Sequence, residues 1–166
     1  MINPINIKNT IISLLDKEQI DYKLFEHKPV LSYEDSVEVQ REAGYEGTEG
    51  KSLVLKTDDT FIVYVTIMGK KVNFAVIKET LGVKKIRLAT PEELQEHFGA
   101  VPGCAYPFGF DETYAIYVDP TIYEQPWFIF SPALPTYTVQ VHGEDLKKVF
   151  NILPNKVTEV KTFNLA

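Results

Sequence analysis

Apolar positions along this chain follow two rhythms. Ile7, Ile11, Leu14 and Leu15 recur at i, i+4, i+7 and i+8. That spacing is one face of an amphipathic helix, predicted over roughly Asn6 to Gln19. A short strand is expected from Tyr22 to Glu26. Ser32-Tyr33-Glu34-Asp35 is a capping-box-like start for a second helix ending near Gly44. The polar, Gly-bearing stretch Glu46 to Gly50 reads as a loop. Leu53-Val54-Leu55 and Phe61 to Ile67 are strand-like runs, and Asp58-Asp59 between them makes a hairpin.

The second half continues the mixture. A helix from Phe74 to Leu81 stops at Gly82, with Lys78 in its last turn. Ile86 to Leu88 is a short strand. Thr90-Pro91-Glu92-Glu93 opens a further helix that ends at Gly99: Thr caps, Pro occupies the first turn, and Glu sits at the third position. Val101 to Gly109 is a loop. Strands are predicted at Tyr114 to Val118, Trp127 to Ser131 and Thr136 to His142. In the last of these Tyr137, Val139 and Val141 alternate against Thr138, Gln140 and His142. A helix over Glu144 to Phe150 and a final strand over Val157 to Phe163 complete the reading. Hairpin strands mixed with helices predict an α+β fold, a compact curved mixed sheet with flanking helices.

The length of 166 residues fits one domain, 1–166, with room for a proper core. A hydrophobic share of 45% against 24% charged excludes global disorder. No run approaches the ~20 apolar residues that span a bilayer, so no membrane partner is expected. The single cysteine, Cys104, cannot form an internal disulfide, and no signal-peptide pattern opens the chain. Both point to a reducing, cytoplasmic setting. The net charge of −6 argues against nonspecific polyanion binding. Lys70, Lys71, Lys78, Lys84, Lys85 and Arg87 still leave room for a local basic patch, or simply a solvated face.

Familiar catalytic devices are missing. His27, His97 and His142 are scattered, with no H-E-x-x-H spacing, no G-x-S-x-G elbow and no phosphate-binding glycine loop. No metal and no cofactor is implied. Cys104 reads as a small apolar residue or, less simply, a nucleophile. Two features remain. Lys51 opens the strand Leu53 to Lys56, and projects into a cleft or into solvent. The loop Gly99 to Gly109 holds Gly103, Pro102 and Pro107. It is either a structural connection or a rigid frame whose amides act as oxyanion donors.

Four segments in order then carry a resemblance. They are Phe25-Glu26-His27-Lys28-Pro29, Lys51-Ser52-Leu53-Val54-Leu55-Lys56, Gly103-Cys104-Ala105-Tyr106-Pro107-Phe108-Gly109, and Phe128-Ile129-Phe130-Ser131. Together they resemble the YbaK/ProX (EbsC) family, which includes the editing domain of bacterial prolyl-tRNA synthetases. The resemblance covers roughly Ile7 to Val149. It implies hydrolysis of the ester of a mischarged aminoacyl-tRNA, commonly Ala-tRNA(Pro) or Cys-tRNA(Pro), without a metal. It also implies a family lysine at Lys51 and a family loop at Gly103 to Pro107. On that reading Lys51 orients the substrate, the amides of Gly103, Cys104 and Ala105 stabilise the oxyanion, and a substrate hydroxyl activates water. Tyr22, Phe25, His27, Pro29, Val30 and Ser32 are candidate pocket residues, with Pro107 and Ser131 beside them. His27 is equally readable as a satisfied structural histidine.

Pro132-Ala133-Leu134-Pro135 departs from the family's glycines and bears on substrate identity. Mischarged tRNA is the expected partner, with prolyl-tRNA synthetase or the elongation factor as possible docking aids. Two readings compete with the deacylase: a non-catalytic module that binds a nucleotide, aminoacyl group or partner peptide in the same cleft, and a hydrolase using Cys104.

Overall fold

The computed structural model describes residues 2–165. The chain runs α1 (Pro4–Lys17), β1 (Tyr22–Glu26), α2 (Tyr33–Ala43), β2 (Thr48–Lys56), β3 (Phe61–Ile67), α3 (Phe74–Leu81) and β4 (Arg87–Leu88). It continues with α4 (Pro91–Phe98), β5 (Ala115–Val118), a 3-10 helix (Pro120–Glu124), β6 (Phe128–Phe130), β7 (Tyr137–Val141), α5 (Gly143–Ile152) and β8 (Val157–Glu159). Among the described residues, eight strands form one mixed sheet in the order β1-β7-β6-β2-β3-β5-β8, and β4 pairs with β2 off that path. The α+β expectation is met.

Local chemistry sets the helix ends. Ser32 caps α2 by accepting from the Asp35 amide, and Gly44 ends it in the left-handed conformation. Thr90 and Glu93 form a reciprocal capping box on α4, satisfying two otherwise orphaned amides.

The sheet is buried from both sides at β3. Val63 and Val65 face a core shared with Ile7, Ile11 and Leu15 of α1. Ile62 and Tyr64 face the opposite way, with Leu55, Ile77 and Phe163. Burial on both faces explains why Phe61 to Val65 is continuously apolar rather than alternating. Val39, Tyr45 and Ile129 form a third cluster that seats α2 near β6.

β2 positions the site. Gly50 to Lys56 pair antiparallel with Ile67 to Phe61 of β3. On the other edge, Thr48 and Glu49 run parallel to Phe128 and Ile129, while Leu55 and Lys56 pair with Leu88 and Arg87 of β4. Residues 50–53 have no strand neighbour on that edge, so the sheet forks there.

Three expectations need correction. Glu46 to Gly50 is not all loop, because β2 begins at Thr48; the partner that recruits it lies some eighty residues later. Tyr114 precedes its strand, its amide donating to Asp111 O. The last strand stops at Glu159, after which Phe163 turns inward and is fully buried. The 3-10 helix had not been expected. Asp119 starts it by accepting from the Thr121 amide at 3.0 Å.

Candidate functional site

The fork in the sheet opens onto a cavity of about 280 Å³. Lys51, Ser52 and Leu53 form its floor. Gly103 and Ala105 come from the loop after α4, Ser131 follows β6, and Val30 and Ser36 lie at the α2 end. Of the residues singled out from the sequence, the fold thus brings together Lys51, Gly103, Ala105, Val30 and Ser131.

Lys51 is held rather than dangling. Its Nζ donates to Lys70 O at 3.3 Å. Lys70 is fixed in turn: its Nζ donates to Asp119 Oδ2 at 2.9 Å and to Thr121 Oγ1 at 2.7 Å. Asp119 is 1% exposed and accepts further bonds from Thr66 Oγ1 (2.7 Å) and Asn164 Nδ2 (2.8 Å). Burial alone would push its carboxyl up, but these donors outweigh it and hold it below the ordinary carboxylate value. Asp119 therefore stays ionised and anchors the turn that carries the Lys51 contact.

The opposite wall is also braced. The Tyr106 hydroxyl donates to Phe98 O at the end of α4, and the Val101 amide donates to Ala133 O at 3.1 Å. Gly103 has φ +88°, a backbone that L side chains rarely adopt. The Cys104 amide donates to Val101 O at 2.9 Å, so it is spent on the turn. That removes Cys104 from the three amides considered for an oxyanion. The amides of Gly103 and Ala105 have no protein acceptor among the described residues. The Cys104 side chain is buried, and burial pushes its thiol up to about 11. It is protonated at neutral pH and no ready nucleophile.

Several expected pocket residues do other work. The Tyr22 hydroxyl donates to Asp16 Oδ1 at 2.8 Å. Phe25 packs on Tyr45, ring centroids 5.3 Å apart. His27 places Nδ1 2.8 Å from Lys28 O, to which it donates, and Nε2 2.8 Å from Thr138 Oγ1, so both ring nitrogens are engaged within the protein. Ser32 is spent on its cap. Pro107 is buried in its loop and Pro29 is exposed, and neither lines the cavity. His27 reaches the cavity wall through Thr138 and through Tyr45, whose ring centroid lies 5.9 Å from its own.

Sequence reasoning missed Tyr45, Glu49, Met68 and Thr138, all on the cavity wall. Glu49 carried a signal: it lies two residues before Lys51, on the same face of a strand, once that strand begins at Thr48. Tyr45 had none, since it reaches the site only by the packing of α2. Desolvation pushes the Glu49 carboxyl up from its ordinary value. Burial, and then the nearby Glu49 charge, push the Tyr45 phenol up.

Among the described residues, no group of three His, Cys, Asp or Glu side chains converges as a metal site, and no helix is long and apolar enough to cross a membrane.

Comparison with known proteins adds a family match. Residues 27–149 match the model of the aminoacyl-tRNA editing domain. Over 149 residues the chain is 28% identical to the prolyl-tRNA editing protein ProX of Acetoanaerobium sticklandii, covering 86% of this chain and 89% of that one. A 72-residue stretch, 43% of this chain, is 33% identical to 13% of the proline–tRNA ligase of Bacillus pumilus. A crystal structure of a candidate trans-editing enzyme for prolyl-tRNA synthetase superposes with a TM-score of 0.70 at 18% identity, covering 92% of this chain and 95% of that one. At that identity the likeness is one of fold.

Proposed function

This chain belongs to the aminoacyl-tRNA editing domain family, the YbaK/ProX family, and we propose that it hydrolyses the ester of mischarged tRNA(Pro), with Ala-tRNA(Pro) or Cys-tRNA(Pro) as substrate. The observation that carries this reading is that Lys51, Gly103 and Ala105 line one cavity while the two loop amides have no protein acceptor among the described residues. Ester hydrolysis places negative charge on the carbonyl oxygen, and fixed donors aimed at that oxygen are the largest single source of acceleration in such sites.

Water attacks the carbonyl carbon, the ribose oxygen leaves with a proton, and a free amino acid results. The vicinal ribose hydroxyl relays the proton in this scheme, taking one from the attacking water as it passes its own to the leaving oxygen. Lys51, held by the Lys70 carbonyl, orients the acceptor end as a fixed cation. A cavity of about 280 Å³ lies near the low end of small-molecule sites, roughly 300–1,000 Å³. It takes the aminoacyl group and leaves the adenosine at the mouth. Selection is then a matter of size, where one methylene is worth only about 1–3 kcal/mol. The Pro132 to Pro135 segment, with buried Ala133 at φ +72°, follows Ser131 but does not itself line the cavity, so it bears on selection only by placing Ser131.

The whole chain acts as one unit in the cytoplasm on this reading, since α1 and β8 share the sheet and core that hold the site. No metal takes part. Its acidic surface calls for help in docking tRNA, from prolyl-tRNA synthetase or the elongation factor.

The test is single-turnover deacylation of Ala-, Cys-, Ser- and Pro-tRNA(Pro) by wild type and Lys51→Ala, with and without chelator. The expected result is rapid clearance of one mischarged species, lost in the variant and indifferent to chelator. Failure to clear any of the four, with synthetase or elongation factor added, would turn the reading to a binding module.

A further inference from the structure

Glu49 and Lys51 sit two residues apart on β2, so their side chains leave the same face of the strand, and both line the cavity. Their Cα atoms are separated by about 6.7 Å on an extended strand. Opposite charges so placed would ordinarily pair with each other. Here they do not: no salt bridge joins them, and Glu49 has no cationic partner within 4 Å among the described residues. Lys51 is turned to the Lys70 carbonyl instead. The Glu49 carboxylate has no side-chain hydrogen-bond donor among the described residues either. Tyr45 shares the wall with it, and the Tyr45 phenol feels the Glu49 charge.

We propose that Glu49 is the subsite for the α-ammonium of the aminoacyl group, so that the cavity recognises an ester with a free, protonated amine. This rests on the deacylase reading for the identity of the ligand and adds to it the charged half of substrate recognition. An aminoacyl ester carries its ammonium on the carbon next to the reacting carbonyl. A ligand held with its ammonium at Glu49 therefore brings that carbonyl toward Lys51 and the Gly103 and Ala105 amides. Glu49 is exposed on its strand, yet its carboxyl is partly desolvated, and such a group gains more from a bound cation than one in open water. Peptidyl and formylated esters have no such cation, so the site discriminates against N-blocked tRNA, which must not be cleared during translation.

Two measurements separate this assignment from the reading it rests on. The first is binding of 3′-(alanylamino)-3′-deoxyadenosine, whose amide resists hydrolysis, and of its N-acetyl derivative, to wild type and Glu49→Gln by titration calorimetry. Wild type is expected to prefer the free amine by about tenfold or more, as for a hydrogen bond between charged groups. In Glu49→Gln that preference falls to about twofold or less, while Glu49→Asp keeps part of it. Equal weakening of both ligands in Glu49→Gln, an unchanged preference, or no binding of either ligand to wild type would overturn the assignment. The second is turnover of Ala-tRNA(Pro) beside N-acetyl-Ala-tRNA(Pro). Amine preference in binding without turnover of either ester would sink the deacylase reading and leave Glu49 in place. Turnover with Glu49→Gln slowing both esters alike would sink the Glu49 assignment and leave the deacylase.

Discussion

Replacing Gly50 by alanine tests how the fork in the sheet is built. A Cβ at Gly50 would fall 2.8 Å from both Cε1 and Cε2 of Phe128, and closer still to Cζ. Phe128 is fully buried and packs toward Phe130, ring centroids 6.2 Å apart, so its ring cannot swing away freely. Gly50 is not among the glycines at positive φ, so backbone strain does not enter and the cost is steric. Overpacking of this kind costs about 1–3 kcal/mol. Against it stands about 0.4–1 kcal/mol from a stiffer unfolded chain. The net expectation is a loss of about 1–2 kcal/mol, read by urea unfolding. At this chain length each kcal/mol corresponds to about 2–4 °C in Tm. The same substitution in a Phe128→Leu background removes the ring atoms it strikes, and there Gly50→Ala should be neutral or mildly stabilising. The coupling between the two sites is then about 2 kcal/mol. An equal loss in both backgrounds would refute the steric account.

Other expectations follow from the same contacts. Asp119→Asn should cost roughly 3 kcal/mol at neutral pH, because Lys70 and the donors around it lose their buried anion. The folded carboxyl of Asp119 lies below its unfolded value, so its stabilisation is complete above about pH 4 and fades as pH falls through the folded value. The gap between wild type and variant in urea melts should therefore close in acid, and a gap that widens there would contradict the argument. Cys104, pushed up to about 11, should resist iodoacetamide in the native state at neutral pH, and Cys104→Ala should clear its substrate at a rate within about twofold of wild type, since its thiolate fraction is negligible there. Rapid alkylation with parallel loss of turnover would restore the thiol-hydrolase reading.

Helices and hairpin were legible because their signals are local. Ser32, Gly44, Thr90, Glu93 and Gly99 mark their helix ends by capping chemistry, and the turn between β2 and β3 is marked by its two aspartates. The start of β2 was not legible, since Thr48 and Glu49 become strand only by meeting Phe128 and Ile129. Missing that start hid Glu49 from the same-face comparison with Lys51. Tyr22, Phe25, His27, Pro29, Val30 and Ser32 were pocket candidates on the family resemblance, and of these Val30 lines the cavity. Ser32, Phe25 and His27 instead serve the cap, the aromatic cluster and the backing of Thr138. Which loop amides are free is likewise a property of hydrogen bonds that a sequence does not display, as the Cys104 turn shows.

The pairing of β1 with β7 has a consequence in time. Tyr22 lies opposite Val141 and Glu26 opposite Tyr137, so the first strand of the chain waits for one near its far end. On a ribosome adding about 5–20 residues per second, the hairpin of β2 and β3 can form early, while β1 stays unpaired for many seconds after it emerges. Val30 and Thr138, which face the same cavity, meet only when nearly all of the chain is out. Sheets closed by such distant partners fold slowly, on the order of milliseconds to seconds. A nascent chain stalled before β7 would hold Lys51 on a formed hairpin with no chamber around it, so the site comes into being in one late step.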